Sequence, residues 1–150
     1  MDMGLEGRVA IITGGSRGIG AATALALVRE GAAVALTSRK QDALDAVAEQ
    51  IRAEVPDARL ITRAAHAADE EAAAAVVAAT LDAFGRLDVL VNNAATSPYF
   101  GPLSELDKAR ADKTVDVNMW GPLMWSQQAW RAAFADNGGA IVNIASIGGL

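Results

Sequence analysis

Five short runs rich in Val, Ile and Leu alternate with longer Ala-rich segments, and this alternation restricts the fold more than any other feature. The runs are Val9-Ala10-Ile11-Ile12, Val34-Ala35-Leu36-Thr37, Leu60-Ile61-Thr62, Val89-Leu90-Val91 and Ile141-Val142-Asn143-Ile144. Runs this apolar suit strands buried on both faces, as parallel sheets require. The segments between them repeat at helical spacing. Ile19, Ala22 and Ala26 fall at i, i+3 and i+7, and Gly31 supplies a stop. Leu44, Val47 and Ile51 repeat the spacing, with Pro56 just beyond. Val76, Ala79 and Ala83 do so again. There Asp69 is placed to cap the start, Glu70 and Glu71 suit the positive helix end, and Gly85 closes. A fourth helix is predicted from about Asp112 to about Ala135. The order β-α-β-α-β-α-β-loop-α-β predicts one open parallel sheet with right-handed crossovers and helices on both faces. The stretch 94–103, with Pro98, Gly101 and Pro102, is the longest irregular piece.

Composition narrows the function classes. The 150 residues have the length of one domain, and 52% apolar content argues against disorder. A net charge of −5 without blocks of Lys or Arg argues against nucleic acid and anionic membrane as partners. With no cysteine, disulfides, thiolate metal sites and Cys nucleophiles are excluded, and a reducing cytoplasm is the expected location. His66 is the single histidine, which excludes a multi-His metal site, so no metal is expected. Residues 1–7 hold two acids and no apolar core, so they do not read as a signal peptide, and no transmembrane helix is expected.

Thr13-Gly14-Gly15-Ser16-Arg17-Gly18-Ile19-Gly20 lies between the first strand and the first helix. A turn of this kind lets the backbone approach a pyrophosphate closely, because no Cβ intervenes, and the helix start presents free N–H groups to it. Gly20 is expected to allow close packing of helix on strand. A tight turn with no ligand is the alternative. The turn is the first βα junction of a βαβ unit, which favours nucleotide binding and a Rossmann-type α/β fold, a doubly wound parallel sheet in three α/β/α layers. No Gly-Lys-Ser/Thr follows, so a Walker-type phosphate loop is not expected. At the end of the second strand, where NAD sites usually carry an acid, the sequence reads Thr37-Ser38-Arg39-Lys40. A hydroxyl and two cations there suit a 2′-phosphate, and Arg17 is within reach of the same group. This favours NADP(H) over NAD(H). The alternative is that Arg39 and Lys40 are a solvated helix start.

Together these residues resemble the short-chain dehydrogenase/reductases. The glycine turn is similar to their TGxxxGxG signature. Asp88-Val89-Leu90-Val91-Asn92-Asn93-Ala94-Ala95 is similar to their D-x-L-V-N-N-A-G, with Ala95 for the usual Gly. Asn118, in Val117-Asn118-Met119, resembles their helix Asn. Gly139-Ala140-Ile141-Val142-Asn143-Ile144-Ala145-Ser146 resembles the strand ending in their catalytic Ser. The resemblance implies that Gly14, Ser16, Arg17, Gly18, Ile19 and Gly20, then Ser38, Arg39 and Lys40, then Asn93, Ala94 and Ala95 border the cofactor. It implies that Thr13 ties the first strand to the Asn-Asn-Ala loop, and that Asn118 and Ser146 belong to the catalytic machinery. His66 and Ala67 fall near the adenine, and His66 stands where many members have Asp. An ordinary polar residue at a strand end is the alternative for His66.

The family's chemistry also calls for Tyr-xxx-Lys a short way past the Ser, a pair absent from these 150 residues. Tyr99 is the single tyrosine, precedes Ser146 and has Leu103 four residues on, so it reads as part of a substrate-side loop. The expectation is a cofactor-binding domain, residues 1–150, cut after the fifth strand, which leaves that strand as an apolar sheet edge, and inactive alone. The leading reading is an oxidoreductase that reduces a carbonyl or oxidises a secondary alcohol. A nucleotide-binding regulator without redox turnover is the alternative. Trp120, Met124, Trp125 and Trp130 do not share one side of the predicted fourth helix. By resemblance, a homo-oligomer is expected.

Overall fold

The computed structural model describes residues 1–147. The apolar runs form strands β1 (Val9–Thr13), β2 (Ala33–Ser38), β3 (Leu60–Ala64), β4 (Val89–Asn92) and β5 (Ala140–Asn143). All neighbouring pairs are parallel, in the order β3-β2-β1-β4-β5. The order reverses at β1, so the crevice outside the ends of β1 and β4 is where an open α/β sheet holds ligand. This is the Rossmann-type, doubly wound arrangement expected from the alternation.

The period of two assigns neighbours to opposite faces of the sheet. Ile11, Ala35 and Leu90 pack on one side with Val76, Val77, Met124 and Trp125. Ile12, Val34, Leu36 and Val91 pack on the other with Ala24, Val28, Leu44 and Ile51. Helices α1 (Gly18–Arg29) and α2 (Gln41–Glu54) thus cover one face, and α3 (Glu70–Phe84) and α5 (Gly121–Ala129) the other. Asp69 caps α3, accepting from Ala72 N–H at 3.0 Å, and Gly85 ends it in the left-handed region at φ 75°. Two buried faces are found for β1 and β2 but not for β3, which is half-exposed at the other end of the order. β5 is the last strand of the described sheet and Ile141 and Val142 are exposed, as expected of an apolar edge strand.

The fourth helix also departs from expectation. It starts earlier, as α4 (Lys108–Val115), because Asp107 accepts from Arg110 N–H at 2.9 Å and caps it. The first turns are polar, so apolar spacing gave no sign of them. The helix then passes through a π turn (Asp116–Trp120), α5, a second π turn (Trp130–Phe134) and α6 (Ala135–Asn137). No helix among the described residues is long and apolar enough to cross a membrane.

At the sheet end away from the crevice, Asp88 ties the start of β1 to the turn before β4. Its carboxylate accepts from Val9 N–H at 2.9 Å, Arg8 Nη1 at 3.1 Å and Arg86 Nε at 2.8 Å. Burial alone would raise its pKa, but the bonds from Arg86, Val9 N–H and Arg8 outweigh burial and hold it below the usual carboxylate range. Its stabilisation is therefore full at neutral pH and is lost as the pH falls through the depressed folded-state pKa. Asp88→Ala should cost about 2 kcal/mol in urea denaturation at neutral pH, since it strands Val9 N–H. The difference from wild type should shrink when the melts are repeated near about pH 3. An undiminished difference would mean that the carboxylate charge contributes nothing.

Candidate functional site

The crevice is built by bolting the glycine turn to the end of β4. Thr13 Oγ1 accepts from the backbone N–H groups of Asn93 and Ala94, each at 3.0 Å, and donates to Val91 O at 3.4 Å. Asn93 Nδ2 donates back to Thr13 O at 3.0 Å and Gly14 O at 3.1 Å. A side chain has no room within this joint. A Cβ on Gly14, which has φ 65°, would lie 2.9 Å from Ala94 Cα, and one on Gly20 would lie 2.6 Å from Asn93 Nδ2. Gly20 therefore permits contact of α1 with the turn and Asn93, whereas the sequence suggested contact with the strand. Gly18 differs, because its φ of 55° faces open space with nothing within 4 Å. Its backbone is free for close approach by a ligand.

A cleft of about 510 Å³ runs along this joint. The candidates Gly14, Ser16, Arg17, Gly18 and Ile19 line it from the turn, and Ser38, Arg39 and Lys40 from the end of β2. His66 and Ala67 line it beyond β3, and Asn93, Ala94 and Ala95 beyond β4. Gly20 sits behind the lining. Arg17, Arg39, Lys40 and Lys113 are the cations among the described residues lining the cleft, His66 is its one imidazole, and no carboxylate joins them. Thr37 Oγ1 and Ser38 Oγ are buried without a hydrogen-bond partner among the described residues. Unsatisfied buried hydroxyls are costly unless a ligand or water completes them. Orphan hydroxyls, flanking cations and the uncapped start of α1 together form a donor set that fits a phosphorylated dinucleotide.

Sequence reasoning missed Trp125, Gly121, Val117 and Lys113. Trp125 is buried, lines the cleft, and donates from Nε1 to Ala67 O at 3.0 Å. A Cβ on Gly121 would come within 2.9 Å of the same carbonyl. A lone glycine inside a helical pattern signals such an approach. Lys113 carried no comparable signal.

Asn118 and Ser146 lie outside the cleft lining. Asn118 clasps the loop after β4, with Thr96 N–H donating to its Oδ1 and its Nδ2 donating to Thr96 O, both at 2.8 Å. Its side-chain amide is thus spent on positioning, and it sits in the first π turn, a distortion frequent at functional sites. Ser146 is exposed just past β5, and Asn143 Oδ1 accepts from Asn92 Nδ2 at 2.9 Å across the β4–β5 pair. The Tyr99 hydroxyl donates to Pro102 O at 2.8 Å and its ring lies under Arg110 at 5.3 Å, so Tyr99 pins the loop after β4 onto itself and onto the start of α4.

An open parallel sheet with a glycine-rich first crossover and a cation-lined crevice defines a Rossmann-type α/β protein. The chain belongs to the short chain dehydrogenase family, whose model matches residues 8–150. It is 35% identical over 143 residues to levodione reductase of Leifsonia aquatica, covering 95% of this chain and 54% of that protein. The crystal structure of levodione reductase superposes with a TM-score of 0.91 at 35% identity, covering 96% of this chain and 56% of that one. A metagenomic short-chain oxidoreductase in complex with NADP superposes with a TM-score of 0.86 at 38% identity, covering 95% and 64%. The chain spans about half the length of the curated relatives it matches.

Thr13 is the test of the joint. Thr13→Val keeps the shape but leaves two N–H groups without an acceptor. It should cost about 1–3 kcal/mol in urea denaturation, and Thr13→Ser should recover most of the loss. A Val variant as stable as wild type would show that the hydroxyl does not hold the two loops together.

Proposed function

We propose that this chain is the nucleotide-binding part of an NADP(H)-linked oxidoreductase that interconverts a carbonyl and a secondary alcohol. The observation that carries the proposal is the end of β2, where the orphan Ser38 hydroxyl lies beside Arg39 and Lys40 in a cleft whose described lining has no carboxylate. An NAD-selective cleft needs an acid to hold the ribose hydroxyls, whereas a 2′-phosphate is matched by this hydroxyl and these cations. Arg17 faces the same cleft from the glycine turn. The solved relative with NADP agrees with this choice.

In this reading the amides of residues 14–20 hold the pyrophosphate, and Asn93, Ala94 and Ala95 border the nicotinamide side. A bound nicotinamide supplies or takes up the hydride. The Ser146 hydroxyl donates to the substrate oxygen and so stabilises charge that develops there. Asn118 holds Thr96 and thereby the wall of the substrate side. The proton is assigned to the Tyr-xxx-Lys pair that the family resemblance calls for after Ser146. That pair is absent from this sequence, so binding is assigned to these residues and turnover to a protein that carries the pair. The cysteine-free composition suits a cytoplasmic enzyme.

The long helix supports association of copies. Met124 and Trp125 are buried in the core, while Met119 is 64% exposed, Leu123 53% and Trp130 58%. Aromatic residues and Met are enriched at interfaces. Sedimentation of the protein should give a homo-oligomer, and Met119→Lys with Leu123→Lys should shift it toward monomer. A monomeric wild type refutes the association.

For cofactor choice, NADPH and NADH affinities are compared before and after Arg39→Ala. Wild type should prefer NADPH. The variant should lose about tenfold to a hundredfold in NADPH affinity, with little change for NADH. An absent or unaltered NADPH preference removes the 2′-phosphate assignment.

A further inference from the structure

We propose that Gln41 is a positioning residue for cofactor choice: its side-chain amide pins the start of α2 to the end of β3 and so sets Arg39 and Lys40 for a 2′-phosphate. The inference rests on the dinucleotide reading above. Gln41 acts in it only through its neighbours, since it is not among the described residues lining the cleft. Arg39 and Lys40 are the two residues between β2 and α2. Both are exposed, and neither forms an ion pair among the described residues. Long exposed cations give up much of their binding energy as lost freedom unless the backbone beneath them is already fixed.

That backbone is fixed on both sides of the pair to consecutive residues of one strand. Before the pair, Ala65 N–H donates to Ser38 O at 2.9 Å, on the side of β3 that faces β2. After it, Ala64 N–H donates to Gln41 Oε1 at 2.8 Å. Successive N–H groups of a strand point to opposite sides, so the Gln41 bond takes the side away from β2. There β3 is the edge of the described sheet. Local capping does not fix this junction. Lys40, at the N-cap of α2, makes no side-chain cap bond. The bond from Ala43 N–H to Asp42 Oδ1 at 2.9 Å joins two neighbours within the first turn and leaves that turn untied to the sheet.

The Gln41 amide is itself held. Its Nε2 donates to Asp45 Oδ1 at 2.8 Å and to Thr62 Oγ1 at 2.9 Å, and Thr62 Oγ1 donates to the same Asp45 oxygen at 2.6 Å. The bonds from Thr62 and Gln41 hold the Asp45 carboxyl below its ordinary value, so at neutral pH it accepts as a carboxylate. A partner that only accepts decides which way the amide faces: nitrogen to Asp45, oxygen to Ala64 N–H. Turned over, the amide would set its oxygen against Asp45 and its NH2 against Ala64 N–H. Asp45 lies one turn along α2 and Thr62 two residues before Ala64 on β3, so helix start and strand end are locked together. A clamp with no bearing on the cations would lower stability and leave the choice of cofactor alone.

Gln41→Met keeps the length of the side chain and removes the amide. Affinities for NADPH and NADH are measured by energy transfer from tryptophan to the reduced nicotinamide. Gln41→Met should lose about tenfold in NADPH affinity and less than about twofold in NADH affinity, because NADH has no 2′-phosphate. Thr62→Val, which removes one bond to Asp45, should lose about threefold in the same sense. With Arg39 and Lys40 both replaced by Ala, Gln41→Met should lose nothing further. In the cofactor-free protein the Ala64 amide should exchange with solvent about tenfold faster in Gln41→Met than in wild type. An NADPH preference unchanged in Gln41→Met, an equal loss for both cofactors, or a further loss without the two cations refutes the positioning role. An Ala64 amide that keeps its wild-type exchange rate refutes the bond on which that role depends. A wild type with no NADPH preference overturns the 2′-phosphate reading, and this inference falls with it.

Discussion

The crevice depends on the hydroxyl of Thr13. It is buried at the end of β1, takes two N–H groups from the chain leaving β4, and is answered by the Asn93 amide, which takes up the carbonyls of Thr13 and Gly14. Strands β1 and β4 are paired in the sheet, but pairing alone leaves the segments beyond their ends free to splay. The bonds of Thr13 and Asn93 extend the register past the last ladder bond. They turn a topological reversal into a groove of fixed width. Gly14 and Gly20 are then required by the same joint, since each leaves room for the other's neighbours.

That joint explains why the sheet and the cleft were not equally legible in the sequence. Strands β1, β2 and β4 were legible because each alternates between two covered faces, as Ile11 and Ile12 do, and burial on both faces demands an apolar run. β5 has the same apolar pattern yet lies exposed as the last strand of the described sheet, the edge position that the order of elements led us to expect. The start of α4 was hidden for the opposite reason. Its first turns are held by the Asp107 cap and a Lys108–Asp112 pair, neither of which leaves an apolar period.

The cleft was legible wherever chemistry imposes a residue type near the first crossover, as at Gly18 and Arg39. It was hidden where a residue acts by holding another. Trp125 fills the core and spends its one polar atom on Ala67 O, so sequence shows only its bulk. Asn118 stood out in the sequence through its motif, but its bonds to Thr96 did not, since they join positions 22 residues apart in the chain. The bond from Ala68 N–H to His66 Nδ1 was equally hidden, because it depends on how the chain turns after β3.

The two ends of the cleft therefore differ in how they are controlled. At the β2 end, charge dominates. Arg17, Arg39 and Lys40 are exposed, so solvent and salt weaken each of them, and in the proposed reading selectivity comes from their convergence with the buried Ser38 hydroxyl. At the β3 end there is little charge, and geometry decides. The loop is fixed through Ser38 O, His66 O and Ala67 O before any ligand arrives. In the proposed reading, a cleft arranged in this way holds phosphates by charge and the base by shape. Discrimination between bases then depends on the few hydrogen-bonding atoms left free at that rim.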